Sequence, residues 1–182
     1  MNKIIAIVGM CGSGKSVACD YLMKKGFEKV YFGGVTLDKL KEENLEINPE
    51  NEKYIREKLR SELGMAAYAI ILLPKIKELA KSHDVVLDGL YSWDELKTLK
   101  DEFGDALTVI AIIVDKNLRY ERLRKRTNRP LNYEEAKKRD ISEIENIAKA
   151  GPIAYADYYI DNNGTFDDFD QRLEEILRKL EE

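Results

Sequence analysis

The chain has one histidine and two cysteines in 182 residues. Histidine-based catalysis therefore has almost no support, since His83 stands alone just before an apolar run and reads as a turn residue. Cys11 and Cys19 cannot build a disulfide framework or a four-ligand metal site by themselves. A basic excess is also missing: 30 Lys and Arg stand against 34 Asp and Glu, a net charge of −4. A duplex-binding protein is usually basic, so nucleic acid is disfavoured as a main partner. No apolar run is long enough to span a membrane, and the N-terminal one is too short for a signal peptide. The expectation is a cytoplasmic protein with no membrane partner. Repeats, low-complexity tracts and linkers are absent too, so residues 1–182 read as one domain.

What is present begins at Lys3. Residues 3–8, KIIAIV, form a short β-branched apolar run of the kind that makes a buried strand. Gly9, Met10, Cys11, Gly12, Ser13 and Gly14 follow, too glycine-rich to continue a strand or helix. From Ser16 the chain reads as helix, with Val17, Tyr21 and Leu22 able to face inward. Strand, loop and helix carry G-x-x-x-x-G-K-S over residues 9–16, the phosphate-binding loop. Glycines let the backbone curl close to phosphates. The free amides at the helix start then make a nest for anionic oxygens. In this pattern Lys15 reaches the β- and γ-phosphates and the Ser16 hydroxyl ligates Mg²⁺. A nucleoside triphosphate site is expected, with ATP and Mg²⁺ bound. Cys11 reads as a filler of a variable loop position.

Further short strands are expected at 28–32, 84–88, 107–114 and 158–161, with helices between them. The 107–114 run, LTVIAIIV, is the most apolar and is expected to be central. Gly33-Gly34 breaks the second strand, and Thr36 is a candidate cap for the next helix. Helical spacing runs from Glu52 to Lys81, divided or kinked by Gly64 and Pro74. Ser92 and Glu95 make a candidate capping box. Alternating strands and helices argue an α/β fold, a parallel sheet with helices on both faces.

DVVLD, residues 84–88, delivers Asp88 at a strand's C-terminal end, where ligands of open parallel sheets bind. Asp88 is placed to orient Mg²⁺ or contact an acceptor; a helix cap or turn aspartate is the alternative. Arg119, Arg122 and Arg126 are three and four residues apart, hence on one helical face. Within 119–129 only Glu121 offsets the basic charge, which favours an anion-facing lid over an ordinary solvated face.

The phosphate loop, Asp88-Gly89 and the R-x-x-R-L-x-x-R run resemble the adenylate-kinase-like nucleoside monophosphate kinases. The run 156–164, ADYYIDNNG, resembles the corresponding segment of dephospho-CoA kinases. That resemblance implies a five-stranded parallel sheet in a three-layer P-loop fold and a lid over 119–140. It also implies an acceptor-binding helical region over 33–81, and Asn163 and Gly164 beside the nucleotide base. Arg119 joins the nucleotide contacts, Arg122 and Arg126 the catalytic ones, and Gly89 the acceptor contacts. The chain departs from both patterns: Gly33-Gly34 stands where an aspartate is usual after the second strand, and Gly89 is followed by Leu90-Tyr91-Ser92.

The expected activity is transfer of the γ-phosphoryl of ATP to a small nucleotide-type acceptor, a nucleoside monophosphate first and dephospho-CoA second. Arg56 and Arg60, one helical turn apart, are candidates for an acceptor phosphate, although Glu52, Glu57 and Glu62 could equally pair with them. Tyr54, Met65 and Tyr68 are candidates for an apolar wall. The rival is a regulatory protein that hydrolyses ATP slowly and acts through a partner. Monomer or homodimer, and ATP or GTP, are not distinguished by sequence.

Overall fold

The computed structural model of the chain describes residues 2–181. Its elements run β1 (Ile4–Val8), α1 (Lys15–Lys24), β2 (Glu28–Tyr31), α2 (Gly33–Glu42), α3 (Pro49–Leu63) and α4 (Ala67–Leu79). Then come β3 (Val85–Asp88), α5 (Trp93–Phe103), a 3₁₀ turn (Gly104–Ala106), β4 (Leu107–Ile113), α6 (Lys116–Lys125) and α7 (Tyr133–Ile147). The chain closes with α8 (Ala150–Ala154), β5 (Tyr158–Asp161) and α9 (Phe166–Lys179). The strands form one parallel sheet in the order β2-β3-β1-β4-β5.

Strand alternation sorts the core into two layers. Ile4, Ala6 and Val8 of β1 pack with Phe32, Leu40, Ile55 and Ile76. Ile5 and Ile7 point the other way, onto Ala18, Cys19 and Leu22 of α1 and Phe169 and Leu173 of α9. The connection leaving β1 crosses one face through α1, and the one leaving β3 crosses the other through α5. The adjacent ends of β1 and β3 therefore form the switch point, where a parallel sheet opens a crevice. Ile7 is in register with Asp88 there.

Three local expectations change. β4 is an interior strand between β1 and β5, but the middle strand is β1. Gly33 opens α2 instead of preceding it, and the Tyr31 ring lies where a Cβ at position 33 would stand, so only glycine fits there with the ring so placed. Thr36 is consequently inside that helix, its hydroxyl buried 2.7 Å from that of Tyr68. Helix α8 was not anticipated in A-G-P-I-A; Gly151 lets it approach Trp93, whose side chain would stand 3.0 Å from a Cβ there.

The Ser92–Glu95 capping box forms as expected, and Glu95 Oε2 also accepts from the Tyr91 amide at 2.8 Å. Glu95 is fully buried and its Oε1 has no partner, so burial pushes its pKa up to about 7. Between the ordinary carboxyl range and that value the folded state holds the proton more tightly than the unfolded chain, so this group's contribution to stability falls as pH rises. Glu95→Gln, which keeps the cap, is therefore expected to raise Tm above pH 7 and change it little near pH 5. Thermal melts at both pH values check this.

Candidate phosphate-binding site

The loop between β1 and α1 has the shape its glycines permit. Gly12 (φ 83°) and Gly14 (φ 99°) lie in the left-handed region that side chains avoid. A Cβ on Gly12 would stand 2.9 Å from the Arg119 carbonyl, and one on Gly14 would stand 2.5 Å from Asn162 Nδ2. Among the described residues, the amides of Gly12, Gly14, Lys15 and Ser16 donate to no backbone carbonyl. They form a ready anion nest at a helix N-terminus. Lys15 folds back over it, its Nζ 2.9 Å from the Gly9 carbonyl and 3.0 Å from that of Met10. Burial, reinforced by the Lys149 charge, lowers its pKa to about 8. Ser16 is exposed at the first turn, Val17 is half-buried, and Ser13 is buried with no partner for its hydroxyl.

Asp88 ends β3 beside this loop, 3.8 Å from Lys29 Nζ. Burial raises its pKa, against the pull of Lys29 and Lys15. A divalent cation would answer that unmet preference for positive charge. Among the described residues no cluster of three or more His, Cys, Asp or Glu forms. Ser16 and Asp88 match the sparse protein donor set of Mg²⁺, which keeps waters and takes phosphate oxygens.

The three arginines of the basic run have separate environments. Arg119 is buried: its guanidinium grips Asp140 through two bonds of 3.0 and 2.6 Å and donates to the Cys11 carbonyl at 3.0 Å. These bonds lock α7 and the phosphate loop together and hold Arg119 against the loop. Arg122 donates Nη2 to the Asn162 carbonyl at 2.8 Å, while its buried Nη1 has no partner. Arg126 caps α6, its Nε 2.8 Å from the Arg129 carbonyl. The C-terminal segment meets the loop through Asn162, which donates to the Ser13 carbonyl at 2.9 Å. Asn163 pairs with Asp115, accepting from its amide at 3.0 Å, and Gly164 lies against Asp168.

Sequence reasoning missed a second cationic group beside Lys15. Lys149, 3% exposed, donates to Glu143 at 2.6 Å and lies 5.2 Å from the Tyr91 ring centroid. Glu143 also takes the Arg139 guanidinium at 3.1 Å. The one signal in the sequence was a lysine set between alanines in I-A-K-A-G.

On the acceptor side, Gly89 is covered by Tyr91, whose hydroxyl would stand 2.9 Å from a Cβ there. Arg56 lies 3.6 Å from Glu52. Arg60 sits over the Tyr68 ring, its buried Nε without a partner. Tyr54 is exposed and under Lys58, so it forms no wall. Tyr68 is core, and Met65 is half-buried.

A family profile described as an AAA domain matches residues 5–148. A UPF0200 protein of Pyrococcus abyssi is 36% identical over 181 residues, covering 97% of this chain and 96% of that protein. The chain belongs to the AAA domain family and to the UPF0200 family. A UPF0200 protein of Thermococcus onnurineus is 33% identical, covering 97% of both chains. A UPF0200/UPF0201 protein of Archaeoglobus fulgidus is 36% identical, and this chain spans 56% of its length.

Solved structures share the UPF0200 chain's fold. TT1252 from Thermus thermophilus superposes with a TM-score of 0.68 at 17% identity, covering 98% of each chain. Shikimate kinase from Bacteroides thetaiotaomicron gives 0.63 at 16%, covering 97% and 98%. A gluconokinase from Sinorhizobium meliloti gives 0.60 at 14%, covering 98% and 93%. The UPF0200 chain thus has a P-loop kinase-like fold.

Proposed function

We propose that the chain is an ATP-dependent small-molecule kinase acting on a nucleotide-type acceptor, a nucleoside monophosphate ahead of dephospho-CoA. The observation that carries this reading is the convergence at the β1–β3 switch point. An anion nest with Lys15, the Asp88 carboxylate and a basic helix packed on the loop through Arg119 all meet there. The domain works as one unit over residues 1–182, with 119–140 as lid and 33–81 as acceptor region. Lys15 leaves the loop carbonyls for the phosphates, and Arg122 meets charge developing on the transferred group. Mg²⁺, held by Ser16 and Asp88, would neutralise phosphate charge when bound. Arg126 and Gly89 frame the closed site. Among the described residues no helix is long and apolar enough to cross a membrane; the protein is proposed to act in the cytoplasm, as monomer or homodimer.

Asp88→Asn is expected to weaken the Mg²⁺ dependence of turnover while the fold survives, and a metal titration of both proteins checks it. An unaltered titration would return Asp88 to a structural role. The regulatory reading is favoured by one feature: β2 leads through Tyr31, Phe32, Gly33 and Gly34 into α2 with no carboxylate among them.

A further inference from the structure

Two arginines, one from α3 and one from the loop between α6 and α7, converge on one carboxylate. Glu52, in α3, has a side chain only 13% exposed. It accepts from Arg129 Nη2 at 2.7 Å and Nη1 at 3.2 Å, and Arg56 Nη1 lies 3.6 Å away. Arg129 comes from the loop between α6 and α7, 77 residues along the chain. It sits in the left-handed region at φ 51°, and its carbonyl is held by Arg126. A long exposed side chain gains little from an ordinary surface pair. Here the backbone of a lid residue adopts an unfavourable conformation to present a two-nitrogen fork, the geometry that matches a carboxylate or phosphate. The fork therefore joins the loop after α6 to helix α3, the lid to the acceptor region.

We infer that Glu52 is an internal stand-in for an oxyanion of the acceptor. The phosphate or carboxylate group of the incoming molecule takes Arg129 and Arg56, and Glu52 is displaced. This rests on the kinase reading and deepens it. Neutral acceptors cannot supply the replacing charge, so the acceptor class is anionic. Acceptor entry and the position of the 126–132 loop are coupled, because one pair of guanidiniums serves both.

The test measures oxyanion affinity by calorimetry with the phosphate loop saturated by a non-hydrolysable ATP analogue and Mg²⁺. The probes are inorganic phosphate, adenosine monophosphate and shikimate. Glu52→Gln removes the competing charge and should tighten oxyanion binding about tenfold, while Arg129→Ala should weaken it about tenfold. Arg129→Lys, which keeps charge without the fork, should fall between wild type and Arg129→Ala. Tightening confined to the phosphate-bearing probes marks a phosphate acceptor, and tightening confined to shikimate a carboxylate one. Unchanged, weaker or undetectable oxyanion binding in Glu52→Gln, with the ATP analogue still bound, overturns the inference. Failure of the wild-type protein to bind the analogue overturns the nucleotide reading instead.

Discussion

Lys15→Ala is expected to lose nucleotide binding or turnover by about a hundredfold or more. Each hydrogen bond to a charged group contributes roughly 1.5–3 kcal/mol, and an ammonium facing two phosphates makes more than one. In the free protein the same ammonium is held by the Gly9 and Met10 carbonyls and is partly desolvated, which lowers its pKa to about 8. A group whose folded pKa is depressed in this way destabilises its charged form, so stability rises as pH climbs from about 8 toward the ordinary lysine range. The alanine variant should therefore keep or raise Tm at neutral pH and lose that rise. Calorimetric ATP titration with parallel melts separates a lost ligand contact from a damaged fold. Unchanged affinity together with unchanged turnover would remove the site.

The second large effect is expected at Arg122. Its Nη2 anchors the Asn162 carbonyl, and Asn162 in turn holds the Ser13 carbonyl, so one guanidinium ties α6, the end of β5 and the phosphate loop. The remaining Nη1 is buried and without a protein partner. Arg122→Ala should lower kcat by about 10²-fold or more, the scale seen when one preorganised electrostatic stabiliser is removed. ATP affinity should fall less, because the lid contact matters most in the closed complex. Arg122→Lys should recover only part of the loss, since it keeps the charge and not the fork. Separate kcat and KM values for ATP decide the point; a raised KM with kcat unchanged would mean that Arg122 serves binding alone.

Legibility followed the range of the interactions. The five strands, the phosphate loop and the Ser92 cap depend on neighbours in sequence, through apolar alternation, glycine spacing and the four-residue reach of a helix turn. The parallel sheet followed from alternation of strands and helices, while its strand order, with β1 in the middle, did not. Arg119 illustrates what sequence could not show. Helical spacing put it on one face with Arg122, but whether that face met solvent or Asp140 depended on α7, twenty-one residues away. The same holds for Lys149, whose partners Glu143 and Tyr91 come from α7 and from the connection between β3 and α5. Asn162 and Asn163 differ by one position at a strand end, and only the pairing of β5 with β4 decides which amide turns to the loop. Gly33-Gly34 read as a simple break after the second strand because the Tyr31 ring folding back over it is a side-chain event.

The most direct measurement is phosphoryl transfer from radiolabelled ATP across a panel of small acceptors, nucleoside monophosphates and dephospho-CoA among them, with neutral nucleosides as controls. The account predicts label on an anionic acceptor, dependent on Mg²⁺ and lost in Lys15→Ala. Label on no acceptor, with ATP bound and slowly hydrolysed, would contradict it and leave a nucleotide-dependent regulatory protein.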